Sequence, residues 1–551
     1  MARAADILVE TLVAHGSDRL FCVPGESYLA LLDALAGQSR IDVVVCRHEG
    51  GAGFMAIADA KLTGKPGLVA VSRGPGATNA AIAIHSAQQD AVPLVVLIGQ
   101  VAREERGRRA FQEVDYVKTF ADMAKGVWEV HDAARLGETV ARAYHAAQSG
   151  TPGAAVIVLP EDMLSDDVPP APALPLPVAR SAAGEADLER AMALLSAAQR
   201  PVLIAGGLLD RPAGRQALER AAEAHHLPVA LSFKHQEIFD NASPLFAGYL
   251  GFKIPKPQVE ALARADLVLA VGTRLGDVPT QGYSFPKAPY PEQRLIHVYP
   301  DPAAVGAVYR TDLGLTCDPS AFLDGLARRN AEVPSARRAW AEDLHGRATA
   351  MARYTPQSFA DGVDFGAAVV PLAKGAPKDS ILVFDAGNFS SWVHRIWPWD
   401  GTQISVGAVG GAMGLGMPGA VAACLRHPGR TVLCFLGDGG AMMTGNELAT
   451  GIAKGAKPKI FISNNRSYGT IRLHQERDYP RRIVATDLAN PDFAAWARAF
   501  GAAGLTLDRQ ENAEAVIAEA LACDKAVVVD VRSSLEAISA YTTISTLRGE
   551  T

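Results

Sequence analysis

Cysteine is sparse and scattered. Six residues, Cys22, Cys46, Cys317, Cys424, Cys434 and Cys523, lie far apart and form no C-x-x-C pair. That pattern excludes a disulfide framework and the usual zinc-ribbon and dithiol motifs, and it predicts reduced thiols buried in apolar segments. Positive charge is not in excess either. Lys and Arg number 53 against 59 Asp and Glu, a net charge of −6, which gives no electrostatic footprint for nucleic acid. No uncharged apolar run reaches the roughly 18 residues that a membrane span needs. The opening stretch MARAADILVETLVAHG reads as an amphipathic helix with acids inside it rather than a signal peptide, so a cytoplasmic protein is expected.

What is present is a long apolar chain. Its 551 residues are 49% hydrophobic, too many for one core, so about two to four domains are expected. Short apolar runs alternate with helical stretches. In the first part, strands are predicted near Arg19–Val23, Ile41–Cys46, Gly67–Ser72, Val92–Ile98 and Ala154–Leu159, with helices over Ala4–His15, Ser27–Ala36 and Gly50–Thr63. A Pro- and Ala-rich linker spans Asp166–Gly184. A second unit offers strands near Pro201–Ala205, Pro228–Ser232, Leu267–Gly272 and Leu295–Tyr299. A third offers Ile381–Asp385, Thr402–Val406, Thr431–Leu436, Lys459–Ser463 and Ala526–Val531. The expectation is three doubly wound α/β domains with parallel sheets, at 1–165, 185–335 and 355–551.

One stretch organises the rest. Thr431–Leu436 is a buried strand by pattern, closed by Gly437-Asp438-Gly439. A helical stretch follows, with Met443, Leu448, Ile452 and Ala453 as candidate buried positions. The strand Lys459–Ser463 then ends in Asn464-Asn465. Two strand ends therefore bring one acid and one amide oxygen to the carboxyl edge of a sheet, where open α/β sheets bind ligands. Such oxygens suit a hard cation that also holds phosphate, and nearby glycine N–H groups suit the anion. This spacing resembles the thiamine diphosphate (ThDP) fingerprint. The resemblance implies Asp438, Asn465 and the Ser467 carbonyl as Mg²⁺ ligands, with Gly437, Gly439 and Gly440 beside the diphosphate. Gly440 stands where relatives often have Ser.

Glu49 follows a strand and precedes a helix of small residues. A carboxylate walled by Gly50, Gly51, Ala52 and Phe54 is poorly solvated, the condition under which an acid keeps its proton. ThDP chemistry needs such an acid against N1′ of the aminopyrimidine. The plainer reading is a helix-start Glu favoured by the dipole. With VPG at Val23–Gly25, RHE at Arg47–Glu49, GPGATN at Gly74–Asn79, AFQEVD at Ala110–Asp115 and GGAMGLGMPGA at Gly410–Ala420, the chain resembles the acetolactate-synthase-like ThDP enzymes along nearly its full length.

That resemblance implies a pyrimidine-binding, a central and a diphosphate-binding domain. It also implies a dimer or tetramer in which Glu49 of one subunit meets a cofactor gripped by another. It further implies cofactor contacts at Gly25, Pro75, Asn79 and Asn388, with Gly411 and Met413 on the pyrimidine and Met413 as an apolar wedge. Phe389 follows Asn388 where relatives often carry a diphosphate donor. Gln112 and Glu26 are candidate substrate or acid–base groups, against a surface residue and a first-turn acid respectively. His85, His394 and His474 stay unassigned. Pocket shape is expected to involve Phe389, Met417 and the run Ser539–Arg548, which reads as a lid or a tail.

Two departures bear on chemistry. FAD-containing relatives have Arg where Thr151 stands in Ser149–Gly153, and a second Arg where Val278 ends Arg274–Val278. FAD in the central domain is therefore disfavoured, and selection for a 2-oxoacid acceptor is weakened. The expected activity is carboligation of a 2-oxoacid or 2-hydroxyketone. Non-oxidative decarboxylation is the alternative, and a non-catalytic scaffold the third reading.

Overall fold

A computed structural model describes residues 1–252, 254–330 and 332–550. Its body is three six-stranded sheets, and every pairing within them is parallel. The first runs Asp42–Val45, Arg19–Cys22, Gly67–Val71, Leu94–Gln100, Ala154–Pro160, Gly126–Glu129. The third runs Ile404–Gly407, Ile381–Phe384, Val432–Gly437, Lys459–Ser463, Val527–Val531, Ala503–Leu507. Numbered within each unit, both orders are 2-1-3-4-6-5, so the two units share one topology. The central sheet runs Phe246–Leu250, Val229–Ser232, Pro201–Ala205, Leu267–Val271, Arg294–Val298, Leu313–Leu315, the order 3-2-1-4-5-6 of a dinucleotide fold. Central strands such as Leu94–Gln100 and Ala154–Pro160 are buried along their whole length. Helices cover both faces of a parallel sheet, so these strands read as unbroken apolar runs.

The expected linker carries one short strand. Asp167–Val168 pairs antiparallel with Ala2–Arg3 before the chain runs on without regular structure to Gly184. The expected helix over Ser27–Ala36 is a 3₁₀ turn at Glu26–Tyr28 followed by Leu29–Ala36. The helical stretch after Asp438 breaks into Asp438–Thr444 and Glu447–Ala453. Leu448 is buried there as expected, but Met443 and Ala453 are exposed. Five cysteines are buried, Cys523 is half-buried, and none is paired.

The first and third units share a core. Phe21, Val69, Val96 and Val158 belong to one cluster with Ile381, Cys434, Ile460 and Val528. Two small-residue helices make the join, Glu49–Thr63 against Gly416–Arg426. Gly53 lies so close to Ala83 that a Cβ there would stand 2.3 Å from the Ala83 methyl. Charged groups rim the join: Arg426 holds Asp18 and Asp59, and Lys454 holds Asp42. The central unit has apolar clusters of its own. Among the described residues, no helix is long and apolar enough to cross a membrane.

Candidate active site

The strand Val432–Gly437 delivers Asp438 to its carboxyl edge, and the neighbouring strand Lys459–Ser463 delivers Asn464 and Asn465 beside it. The backbone N–H of Ser467 donates to Asp438 Oδ2 at 3.2 Å and to Asn465 Oδ1 at 3.1 Å. One amide hydrogen thus reaches both expected side-chain ligands. Asp438 is 2% exposed, and burial pushes its carboxyl up to about 6 despite donors from Asn490, Gly439 and the Arg466–Ser467 backbone. Asn490 Nδ2 donates to Asp438 Oδ2 at 2.7 Å and to Asn464 Oδ1 at 3.0 Å; Asn464 in turn donates to Asp530. Arg466, between Asn465 and Ser467, holds φ 56°, a left-handed conformation rare for a side-chain-bearing residue. The buried hydroxyl of Ser467 has no protein partner.

The glycines beside Asp438 leave little room for side chains. A Cβ at Gly439 would lie 2.5 Å from the Tyr468 ring, and one at Gly440 would lie 2.6 Å from Asp385 Oδ2. The Ser that relatives often carry at Gly440 has no space while Asp385 stands there. Asp385 is fully buried and accepts from the N–H groups of Gly414 (2.8 Å) and Ala386 (2.7 Å); burial pushes its carboxyl up to about 6. Thr444 Oγ1 donates to the Gly414 carbonyl at 2.7 Å. Together they fix the end of the Ala408–Gly414 loop, in which Met413 is half-buried and Gly411 adopts φ 75° with nothing within 4 Å of its Cβ position. An open, left-handed glycine is where a backbone carbonyl can face a ligand.

The start of that loop is held from two other units. Lys61 Nζ donates to Asp90 (2.8 Å) and to the Gly407 carbonyl (2.5 Å), while Asp90 accepts the Gly410 N–H at 2.8 Å. From the central unit, Lys234 Nζ donates to the Ala408 carbonyl at 2.8 Å, and burial pushes its ammonium down to about 8.

Glu49 is the first residue of its helix, behind a His48 ring that accepts the Gly50 N–H at 3.0 Å. Its carboxylate turns to the adjacent helix Pro75–Asp90: Asn79 Nδ2 donates to Oε2 at 2.9 Å, and the Cβ position of Gly76 is 3.3 Å from Oε1. Pro75 and Asn79 are exposed beside it. The amides of Arg47 and His48 both donate to the fully buried Glu447 of the third unit, at 2.9 and 3.0 Å.

Gln112 packs on this face, at φ 64° and close enough that a Cβ on Gly74 would stand 2.8 Å from its own. Gly25 presses on Ser72 in the same way, at 2.5 Å, and Ser72 Oγ is 3.0 Å from Ser27 Oγ. Glu26 is exposed and pairs with Arg73 at 3.5 Å; the buried Arg73 also holds Glu161 at 2.9 Å and the Phe111 carbonyl. Phe111 itself is 74% exposed.

Several expectations need correction. Phe389 is core, 4% exposed and edge-on to Phe365 at 6.4 Å; Met417 is fully buried in its helix. Neither shapes a pocket, because both side chains are packed into apolar clusters. Asn388 donates its N–H to Thr470 Oγ1 at 3.0 Å and its side-chain amide to the Ile538 carbonyl. The run 539–548 is neither a loose tail nor a free flap. Arg395 and Ser391 hold the Ala540 backbone, and Arg548 grips Glu476 at 2.6 Å. His394 is structural, stacked between Tyr249 and Phe384, each at 4.9 Å. His85 is exposed, and His474 lies against Arg477. The sequence reading expected no adjacent histidine pair, and that is wrong: His225-His226 is one. His225 is buried in the central unit on the Leu326 carbonyl, a packing role.

It also missed Asp385, Asn490, Arg73 and Glu447. Asp385 had a signal, as the last residue of an apolar strand. Asn490 had none, since it comes from a loop far along the chain.

Comparison with known proteins agrees with the geometry. Residues 2–119, 188–326 and 385–531 match the N-terminal TPP binding, central and C-terminal TPP binding domains of thiamine pyrophosphate enzymes. The acetolactate synthase large subunit of Parasynechococcus marenigrum is 33% identical, over 96% of this chain and 87% of its own. The Escherichia coli acetolactate synthase isozyme 1 large subunit is 30% identical, over 97% and 94%. A putative thiamine pyrophosphate-containing protein of Bacillus subtilis is 30% identical, over 96% and 91%. With three sheets in the right order and the acid, amide and glycines assembled at one sheet edge, the chain belongs to the thiamine pyrophosphate enzymes and is a ThDP-dependent enzyme of the acetolactate synthase type.

Proposed function

We propose that the protein is a Mg²⁺-assisted carboligase that takes the acyl unit of a 2-oxoacid, with loss of CO₂, and joins it to a carbonyl acceptor. The observation that carries this is the single Ser467 N–H reaching both Asp438 and Asn465. It brings a carboxylate and an amide oxygen together at a strand end, a donor set for a hard cation. Asp438, Asn465 and the Ser467 carbonyl would hold Mg²⁺, and the N–H groups around Gly437–Gly440 would hold diphosphate. When bound, ThDP supplies a carbon nucleophile that stabilises negative charge beside a carbonyl.

The chain's own residues do the rest. Glu49 holds and moves the proton at N1′ of the pyrimidine, and Asn79 orients its carboxylate. The Gly411 carbonyl and Met413 N–H would position the pyrimidine, and the Met413 side chain would pack against the cofactor as an apolar support. Gly25 and Pro75 line the same face, with Gln112 and Glu26 at the substrate end. The domain division at 1–165, 185–335 and 355–551 follows the three sheets. Exposed Ile82, Met442, Met443 and Ile471 support self-association, which would let Glu49 serve a partner's cofactor.

Turnover of a panel of 2-oxoacids, with and without added aldehydes and with ThDP and Mg²⁺ present, tests the reading. The expected result is CO₂ together with a hydroxyketone or hydroxyacid product. CO₂ with free aldehyde alone would favour the second reading, decarboxylation, to which Val278 in place of an acceptor-binding Arg points. No CO₂ from any 2-oxoacid would overturn this assignment of substrate class. We further propose that the central unit carries no flavin, since Thr151 and Val278 replace the Arg pair; stoichiometric flavin absorbance in the purified protein would reverse that.

A further inference from the structure

We propose that the central unit holds a second divalent cation, of the zinc class, between Asp210, His235 and Glu237. The cluster sits at the carboxyl edge of the central sheet, on the loops that follow the paired strands Pro201–Ala205 and Val229–Ser232. One ligand atom from each of the three residues lies within 4.8 Å of the other two. Glu237 is fully buried, yet neither of its carboxylate oxygens has a hydrogen-bond partner, and the His235 Nδ1 facing it is buried and unpartnered too. The Nδ1 to Oε1 separation is 3.6 Å, too long for a hydrogen bond. It is close to the roughly 3.4 Å that separates two ligands about 2.1 Å from one tetrahedral ion.

The surroundings favour a built site over a chance meeting. A buried carboxylate whose two oxygens both lack donors is costly unless a cation or a proton compensates it. Arg215 reaches Asp210 only through Oδ1, at 2.7 and 3.1 Å, which leaves Oδ2 for an ion. Its positive charge tempers affinity. The His235 ring is pinned against Gly207, where a Cβ would lie 2.4 Å from Nε2. Lys234, one residue earlier, holds φ 61°, a strained turn that sends its own side chain to Ala408. An imidazole with two carboxylates selects a borderline dication over Mg²⁺. The ion would tie two loops together, and through Lys234 and Gln236 it would steady Ala408 and His394 of the third unit. None of the three proposed ligands belongs to the coenzyme site.

Cobalt(II) is the probe. Chelator-dialysed enzyme, reloaded with ThDP and Mg²⁺ to fill the oxygen-only site, is titrated with Co²⁺. The expected result is an intense visible d–d band saturating at one equivalent per chain, displaced by Zn²⁺, with Zn²⁺ raising the melting temperature. His235→Asn, Glu237→Gln and Asp210→Asn are each expected to lose the band while keeping the circular dichroism spectrum and ThDP affinity. No band from the folded wild-type enzyme would mean that His235 and Glu237 share a proton instead, and would overturn the proposal. So would a band that survives in whichever of the three variants fold.

Discussion

Glu49 and Asp438 have opposite environments, and their substitutions should fail differently. Glu49 sits on an open face with one side-chain donor, Asn79. Glu49→Gln keeps the shape and that contact through its carbonyl, but it cannot exchange a proton at N1′. Turnover is expected to fall by about 10²- to 10⁴-fold, the range for losing a general acid–base, while ThDP affinity by calorimetry stays near wild type. Equal turnover in the variant would remove Glu49 from the chemistry. Asp438 is buried, and its Oδ2 is oriented by Asn490. Removing the partner that aims a ligand typically costs about 10- to 100-fold in metal affinity. Asn490→Ala should therefore weaken Mg²⁺-dependent ThDP binding by that factor at unchanged substrate KM. An unchanged Mg²⁺ titration would show that Asn490 serves the fold alone. Asp438 and Asn465 were legible as a pair in the sequence, because each follows the end of an apolar strand. Asn490 was not, because nothing local distinguishes it from a loop amide.

At the scale of elements, the end of the chain docks through a buried carboxylate. Arg548 and Arg472 both reach Glu476, whose side chain is fully buried, and the Arg548 contact is the main reason its carboxyl is held down to about 2. The folded value lies below the ordinary 4.5, so the pairing stabilises the docked run above about pH 4.5 and is lost as pH falls toward 2. Proteolysis followed by mass spectrometry should find the segment after Ile538 protected at neutral pH and cut as the medium is acidified. In Arg548→Ala it should already be cut at neutral pH. Equal protection in the variant would mean that the Ala540 and Asn388 contacts suffice. This docking was not legible in SAYTTISTLR, whose partners lie far back in the chain. The strands that sequence reading missed have a common cause. Gly126–Glu129, Phe246–Leu250, Leu313–Leu315 and Ala503–Leu507 are all sheet edges. Three of them have half-exposed or exposed residues that dilute the apolar run, and Phe246–Leu250 carries a glycine at φ 113°. Interior strands, covered on both faces, wrote their burial directly into composition.

The whole molecule meets at the Ala408–Gly414 loop, where all three units touch. Lys234 spans the junction while 4% exposed, its ammonium pushed down to about 8 from 10.5. Because the folded value lies below the unfolded one, stability should rise as pH climbs from about 8 to 10.5 and is forfeited as pH falls through 8. Urea unfolding of wild type against Lys234→Met should show a pH-dependent difference of about 3 kcal/mol across that window; a flat difference would mean that Asp90 and Asp385 already compensate the charge. The same junction raises the question of which chain completes the site. Within one chain, Glu447 seals the amides before Glu49, while Glu49, Pro75, Asn79 and Ile82 lie on one open face and Met442 and Met443 on another. A two-fold dimer would bring each face against the other's partner. Complementation separates this from a site within one chain. Glu49→Gln and Asp438→Ala are each expected to be inactive alone. Unfolded and refolded together in equal amounts, they form a mixed dimer in which one site has both native residues and the other has neither. Random pairing of two chains then returns about a quarter of wild-type activity. Recovery should follow the fraction of mixed dimer and vanish when either variant is refolded alone. If mixing restored nothing while tagged pull-down showed that mixed dimers had formed, Glu49 and Asp438 would serve one cofactor from the same chain, and the open faces would need another occupant.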